Sequence, residues 1–203
     1  MKFSQKKWVY AILYLVISGI CYFFTNHFQF FPELPLPRLQ IDRQIPYLSW
    51  TIIIYLSYYP LMVLPMLLCK DEDVFSKMFR GYAWILALST IFFFFFPTRI
   101  CRANIPMAKD FFTQYPCRLI LSLDTEYNAC PSLHVACSLI GAFTYLWHGK
   151  YWPGLLFLPW AILVIISTLT IKQHLFIDVV GGITLALIVL IGVNAFSSKP
   201  SQF

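Results

Sequence analysis

The stretch that decides the fold is residues 154–196, which read GLLFLPWAILVIISTLTI (154–171), KQHLF (172–176) and IDVVGGITLALIVLIGVNAF (177–196). Two long apolar runs are separated by a short polar break that carries Lys172 and His174. A helix needs about 20 apolar residues, with a range near 17–25, to cross a bilayer. The stretch therefore predicts two membrane-spanning helices joined by a tight polar turn.

The whole chain has the composition of a membrane protein. Of its 203 residues, 59% are hydrophobic and only 12% are charged, whereas a soluble domain carries about 25% charged residues. Continuous Leu, Ile and Phe also argue against a β-barrel, whose strands alternate in hydrophobicity. We expect an all-α, polytopic membrane protein: one domain over residues 1–203, six transmembrane helices and an active site at one membrane face. The predicted spans are Trp8–Phe24, Leu48–Cys69, Gly81–Phe96, Ser132–Trp147, Gly154–Ile171 and Ile177–Phe196.

The basic N-terminus suggests an orientation. Lys2, Lys6 and Lys7 precede the first apolar run, and no small-residue cleavage site follows it. We interpret this run as a retained span whose basic end is cytoplasmic. Six spans then place both termini in the cytoplasm and the loop 97–131 outside. The expected localisation is an integral, multi-pass membrane protein with its active site on the extracytoplasmic face.

The net charge of the chain indicates which kinds of molecule it could bind. A formal net charge of +6 suits an anionic membrane surface or an anionic ligand. No basic helix or aromatic platform supports nucleic-acid binding, and no Asp, Glu, His or Cys cluster has the density of a metal site. We therefore expect membrane lipids as surroundings, and no nucleic acid, metal or cofactor.

The first candidate motif is Pro131-Ser132-Leu133-His134, at the start of the fourth apolar run. Proline is favoured at the first turn of a helix, so a helix is predicted to begin here. Its free backbone N–H groups and positive dipole end would favour a phosphate group. Ser132 could add a hydroxyl and His134 a proton. A helix cap followed by an interfacial histidine explains the same residues without chemistry.

The second candidate motif is His174 with Asp178, at the start of the last apolar run. Residues four apart share one helix face. The carboxylate could accept a proton from one imidazole nitrogen and leave the other nitrogen free to attack an electrophile. A structural His–Asp pair at a helix start is the alternative.

The six-span topology brings the two motifs to the same membrane face. The start of the fourth span, the link between the fifth and sixth spans and the loop 97–131 all lie there, and the loop is predicted to hold a short interfacial helix near residues 117–123. Phosphoryl transfer needs a nucleophile, an acid for the leaving group and cations or donors for the developing charge. His174, His134, Arg99 and Arg102 could supply that set.

With these residues the chain resembles the type 2 phosphatidic acid phosphatase superfamily. The family's third motif is S-R-x5-H-x3-D, and Ser167, His174 and Asp178 match it at that spacing. Thr168 stands where arginine is usual. The resemblance runs over residues 97–182, which carry all the matching motifs.

The other two motifs match in part. The family's second motif is P-S-G-H, and this chain has Leu133 where glycine is usual. The first motif is K-x6-R-P, for which Arg102 is the best match, with Phe95 in the lysine position and Ala103 after the arginine. P-S-L-H with no arginine in the third motif is similar to the branch that contains inositol phosphorylceramide synthases.

The resemblance implies an activity and roles for the three acid–base residues. Its members are six-span, metal-independent enzymes that act on lipid phosphates. By resemblance, His174 is the nucleophile that forms a phosphohistidine, and Asp178 orients it. His134 protonates the leaving alcohol and later activates water.

The resemblance also implies a substrate-binding set. Ser132 and Arg102 would bind phosphoryl oxygens, and Ser167 belongs to the same set. Arg99 or Lys172 could supply the positive charge that Phe95 and Thr168 lack.

Three functions remain open from the sequence. A lipid phosphate phosphatase, in which water accepts the phosphoryl group, is the favoured hypothesis. A phosphotransferase, in which a lipid or inositol hydroxyl accepts it, would use the same residues. A non-catalytic transporter or lipid-binding protein is the third. Against it, the ionisable groups cluster near one face, whereas transporters carry theirs near the midplane.

Overall fold

Apolar helices make up most of the computed structural model, which describes residues 2–102 and 109–195. Short turns of 3-10 helix at Ser49–Thr51 and of π-helix at Thr113–Cys117 accompany them. In chain order the elements are α1 (Phe3–His27), β1 (Leu34–Pro35), α2 (Gln40–Gln44), α3 (Ile52–Leu56), α4 (Tyr58–Leu68), α5 (Glu72–Phe95), β2 (Thr98–Arg99), α6 (Arg118–Leu123), α7 (Leu133–Trp147), α8 (Tyr151–Thr170) and α9 (Phe176–Ala195).

Five helical segments within these ranges are long and apolar enough to cross a membrane. They are α1, the combined segment Ser49–Leu68, α5, α8 and α9. The predicted fourth span forms α7, which has 15 residues, fewer than the lower limit of about 17 for a crossing helix. The prediction of an all-α, polytopic membrane protein is thus confirmed in its class, with five helices of spanning length among the described residues rather than six.

The α7 helix lies inside the bundle. It packs against α4, α5, α8 and α9, and nearly every residue from Val135 to Ala142 is buried. Small side chains such as Ala136 and Gly141 let the neighbouring helices approach closely. A helix surrounded in this way contacts protein along most of its length instead of lipid.

The third predicted span begins earlier in the structure than in the sequence analysis. The helix α5 begins at Glu72 rather than at Gly81. The Asp71 carboxylate accepts hydrogen bonds from the backbone N–H groups of Asp73 and Val74 at 3.1 and 3.2 Å. This N-cap, together with acidic residues next to the positive dipole end, stabilises a first part of the helix that hydropathy alone reads as polar.

Two loops are tied together at the end of the bundle that carries His134. The strands β1 and β2 pair in parallel, with Leu34 opposite Thr98. The Thr98 hydroxyl both accepts a hydrogen bond from the Cys130 N–H and donates one to the Cys130 carbonyl. The short helix predicted near residues 117–123 is present as α6. The segment that precedes α7 is therefore held by hydrogen bonds as well as by packing.

The opposite end of the bundle carries the basic N-terminus. The Lys7 ammonium donates to the carbonyl oxygens of Leu67 and Cys69, and Lys150 pairs with Asp71 at 3.1 Å. The turn after α4 therefore contacts both the start of α1 and the turn after α7. His134 and His174 lie at the other end.

Candidate active site

The first turn of α7 positions His134. Ser132 is the N-cap, and its hydroxyl oxygen accepts the backbone N–H of Val135 at 3.4 Å. The preceding Cys130–Pro131 peptide bond is cis. Since Ser132 caps the helix, the N–H groups of Leu133 and His134 lie at its open, positive end.

A tight turn between α8 and α9 positions His174. The carbonyl oxygen of Thr168 accepts the backbone N–H groups of both Gln173 and His174, at 3.0 and 3.2 Å. Lys172 adopts a positive φ of 62° to make this reversal. The turn places His174 beyond the end of α8 and reverses the direction of the chain before α9 begins.

Asp178 performs two tasks in the first turn of α9. Its Oδ2 atom accepts the backbone N–H of Leu175 at 2.8 Å, which is the N3 half of a capping arrangement. The same oxygen lies 3.4 Å from His174 Nδ1. The side chain of Asp178 is fully buried, and that of His174 is 8% exposed. The helix cap thus also fixes the carboxylate beside the imidazole.

The structure brings the two motifs into direct contact. His174 Nε2 lies 3.4 Å from His134 Nδ1, and the ring centroids are 5.6 Å apart. His174 therefore faces the carboxylate of Asp178 with one nitrogen and the second imidazole with the other. Of the predicted site residues, His134, His174 and Asp178 form one continuous chain of polar groups.

This geometry favours one assignment of protons. If Asp178 accepts a proton from Nδ1 of His174, then Nε2 of a neutral His174 carries a lone pair. The proton on the His134–His174 contact then belongs to Nδ1 of His134. One imidazole can therefore act as nucleophile while the other carries the proton that a leaving group needs.

Two tyrosines that the sequence analysis did not single out hold His134. The Tyr55 ring stacks on the imidazole with centroids 4.6 Å apart, and the Tyr58 ring lies 4.5 Å away. Both tyrosines are buried. Their positions within an apolar run gave no signal, because the contact depends on how α3 and α4 pack beside α7.

Asp42 is a second residue that the sequence analysis missed. Its Oδ1 atom accepts the backbone N–H of Phe176 at 2.7 Å, although the two residues are far apart in sequence. Asp42 also anchors its own helix α2, through a hydrogen bond from the Leu39 N–H at 2.8 Å. A carboxylate in the first loop therefore caps the helix that carries Asp178.

The predicted cations contact protein groups rather than the histidines. Arg99 forms ion pairs with Glu33 and Glu126, each at 2.9 Å. The hydrogen bonds that Arg99 donates, first to Glu126 and second to Glu33, raise the pKa of Arg99. Arg102 contacts Asp124 through both terminal nitrogens, at 2.9 Å to the carbonyl and 3.0 Å to the carboxylate. Either guanidinium would have to exchange these partners before it could bind a phosphate.

The ammonium group of Lys172 also contacts protein groups rather than the histidines. Its ammonium donates to the carbonyl oxygens of Asp42 and Ile45, at 3.1 and 2.5 Å. Partial burial, and then the nearby charge of Arg38, lower the pKa of Lys172. The side chain thus ties the His174 turn to the first loop.

The remaining predicted residues lie within helix α8 and its neighbours. The hydroxyl of Ser167 donates to the carbonyl of Val164 at 2.6 Å, and that of Thr168 to the carbonyl of Ile165 at 2.7 Å. Ser132 is fully buried as the α7 cap. Among the described residues, no group of three or more His, Cys, Asp or Glu side chains could hold a metal ion.

Of three comparisons with known proteins, one found a match. No curated protein and no solved structure matches the chain. A family model described as the PAP2 superfamily matches residues 30–192, which include both histidine motifs and most of the membrane helices. Membership supports a phosphatase- or phosphotransferase-type activity. The chain belongs to the PAP2 superfamily.

Proposed function

We propose that this protein is a metal-independent lipid phosphate phosphatase that works through a phosphohistidine on His174. The supporting observation is the 3.4 Å contact between His174 Nε2 and His134 Nδ1, with Asp178 on the other nitrogen of His174. An orienting carboxylate, a nucleophile and a proton donor thereby lie in consecutive contact.

The reaction would proceed in two balanced steps. In the first, the lone pair on His174 Nε2 attacks phosphorus and the bond from phosphorus to the lipid oxygen breaks. His134, which carries protons on both ring nitrogens at this stage, gives one of them to that oxygen, and the neutral lipid alcohol leaves. In the second, His134 takes a proton from water while the water oxygen attacks phosphorus, releasing phosphate and restoring His174.

The start of α7 is the proposed cradle for the phosphoryl oxygens. The backbone N–H groups of Leu133 and His134 lie at the positive end of the helix, and the hydroxyl of Ser132 is adjacent. Donors placed before the reaction stabilise the charge that develops in the transition state. This cradle relies on backbone groups, so it does not require the lysine and arginine that Phe95 and Thr168 replace.

Water as acceptor distinguishes the proposed phosphatase from a phosphotransferase. The same three side chains would serve a lipid or inositol hydroxyl, but such an acceptor needs a second binding pocket, and water does not. The resemblance of Pro131–His134 to the inositol phosphorylceramide synthase branch makes inositol the acceptor to include in the assay.

The test is a turnover assay on purified protein in mixed micelles. Single-chain and two-chain lipid phosphates and diphosphates are supplied with and without inositol and diacylglycerol, and both free phosphate and new phospholipids are measured. We expect free phosphate from lipid phosphates and an acid-labile phosphoryl group on the protein. A new phospholipid in place of free phosphate would identify a phosphotransferase.

Two histidine variants test the nucleophile. His174→Ala should lose on the order of 10⁴–10⁶-fold in kcat, as removal of a catalytic nucleophile does in a comparable triad. His27→Ala removes an exposed histidine whose ring stacks on Phe23 of its own helix and contacts the Phe23 carbonyl, and should keep normal turnover. Near-normal turnover by folded His174→Ala protein would refute the phosphohistidine route.

A further inference from the structure

An apolar groove runs along the side of the bundle beside His134. Its volume is about 150 Å³. It lies between α1, α4, α5 and α7, and His134 forms part of its wall. The other lining residues are Tyr14, Leu15, Ser18, Gly19, Tyr22, Tyr58, Tyr59, Met62, Leu86 and Leu133.

The groove has a buried floor and an exposed rim. Tyr14, Tyr58 and Met62 on the floor are buried, whereas Leu15 and Tyr59 on the rim are 37% and 52% exposed. In a membrane protein, exposed apolar side chains at mid-helix face lipid. The groove therefore opens sideways to the hydrocarbon of the bilayer rather than to water.

The helix α1, which forms one wall of the groove, is the least buried of the helices of spanning length. Only 17% of the most apolar window of α1 is buried, compared with 39–44% for the other helices of spanning length. A Cβ atom added at Gly19 would meet nothing within 4 Å. A larger residue at this position would fill the gap that glycine leaves.

We propose that the groove holds the single hydrocarbon chain of the substrate's leaving alcohol, which enters from the bilayer between α1 and α4. This inference rests on the proposed function. In the proposed function His134 protonates the leaving oxygen, and the hydrocarbon chain of the alcohol is attached to that oxygen. His134 lines the groove and His174 is not among its lining residues, so the chain of the alcohol would run along this groove from the site of proton transfer.

The size of the groove limits what it holds. An apolar cavity of about 150 Å³ holds a small molecule such as benzene, so this groove of about 150 Å³ takes only the first few carbons of a hydrocarbon chain. The first part of one chain fits there, and the rest continues into the bilayer. The substrate class assigned to the site is a phosphate ester whose leaving group presents one chain at the groove.

Gly192 offers a matched control for a test at Gly19. A Cβ atom at Gly192 would also meet nothing within 4 Å, and this residue lines another apolar groove, between α5 and α9. Gly19→Leu and Gly192→Leu therefore make the same change in equally open space, one beside His134 and one away from it.

The experiment compares hexadecyl phosphate with butyl phosphate in the same micelles. We expect the ratio of kcat/KM for the long chain to that for the short chain to fall at least about tenfold in Gly19→Leu. In Gly192→Leu the ratio should equal that of the wild type. An unchanged ratio in Gly19→Leu, or an equal fall in both variants, would overturn the groove assignment while turnover by the wild type still supported the phosphatase.

Photolabelling tests the groove without turnover. Hexadecyl phosphate with a diazirine on its first few carbons should label the Tyr14–Tyr22 stretch of α1 in wild-type protein, and Gly19→Leu should suppress that labelling. Labelling of α5 and α9 but not of α1 would overturn the inference even if the protein hydrolyses lipid phosphates. Labelling of α1 without any hydrolysis would support the groove and count against the proposed function alone.

Discussion

The backbone nitrogen of Ser132 donates a hydrogen bond to the carbonyl oxygen of Asp178, with 3.2 Å between the two atoms. The first turns of α7 and α9 are thereby joined at the two residues that flank the histidine contact. Gly182, one turn further along α9 than Asp178, lies against the carbonyl oxygen of Ser132. The distance between His134 and His174 thus depends on how closely two helix backbones approach.

This close approach predicts that Gly182→Ala lowers activity. The new Cβ would lie 2.6 Å from the Ser132 carbonyl oxygen and 2.7 Å from Val135 Cβ, so α7 would have to move away. Overpacking of this kind costs about 1–3 kcal/mol of stability. A misplacement of about 1 Å can cost about 10²-fold in rate. The measurements are the midpoint of thermal unfolding and kcat, with Gly192→Ala as control, since its Cβ meets nothing within 4 Å. Wild-type kcat in Gly182→Ala would mean that the helix spacing is not critical.

Asp178→Asn tests whether the carboxylate orients His174. Both hydrogen bonds meet at the single oxygen Oδ2, which an amide oxygen could replace, but the amide carries no negative charge. It would therefore not stabilise the positive charge that the His174 ring gains when Nε2 attacks phosphorus. The same change in a Ser-His-Asp triad lowers kcat by about 10⁴-fold, and we expect a loss on the order of 10³–10⁴-fold with little change in KM. A purely structural carboxylate would instead lower the unfolding midpoint and leave kcat of the folded fraction normal.

Arg102 and Asp124 make a third, paired prediction. Their side chains are only 9% and 16% exposed, and removal of one partner of a largely buried pair costs about 3–5 kcal/mol. Arg102→Ala and Asp124→Ala should therefore lower the free energy of unfolding by similar amounts. The double variant should lose less than the sum of the two.

The same variants test the phosphate-binding role that the family resemblance implies for Arg102. A guanidinium that also binds phosphate would raise KM in Arg102→Ala but not in Asp124→Ala. Equal kinetic effects in the two variants would assign Arg102 to the structure of the loop. Thr168→Ala should change little, because His174 bonds to the backbone carbonyl of Thr168 and not to its hydroxyl.

The sequence predicted the helices and the end of the bundle that holds the histidines, but not where α5 begins. Long apolar runs predicted the helices, because burying backbone polar groups in lipid demands helical hydrogen bonds. Consecutive spans cross the membrane in opposite directions, so the order of the spans predicted that His134 and His174 lie at the same end of the bundle. The early start of α5 was missed, because its charged first turns lower the hydropathy that marks a span.

Long-range contacts account for the rest. Asp42 caps α9 from a loop more than a hundred residues away, and Tyr55 stacks on His134 from a different helix. No local pattern encodes either contact. Arg99 likewise reaches Glu33 in the first loop. Glu126 and Asp124 lie in the same loop as Arg99 and Arg102, more than 20 residues further along the chain, so these ion pairs also depend on how the loop folds.

Activity should survive chelation. The proposed route uses imidazole nitrogens and backbone N–H groups throughout, and the described residues include no cluster with metal-ligand density. Turnover of a lipid phosphate in EDTA should equal that in untreated buffer, measured as free phosphate. Loss of turnover in EDTA that magnesium or zinc restores would require a different mechanism.

The last prediction concerns which face of the membrane carries the site. We propose that the histidine end is extracytoplasmic, because the basic N-terminus lies at the other end, where Lys7 binds the turn after α4. Cys101 is exposed and its thiol is free, and it lies in the loop at the histidine end. A membrane-impermeant maleimide added to intact cells should label the wild type and not Cys101→Ser. Lys70→Cys, placed in the Cys101→Ser background at the opposite end, should be labelled only after the membrane is permeabilised. The reverse pattern would place the chemistry in the cytoplasm, since the two thiols lie at opposite ends of the same helical bundle.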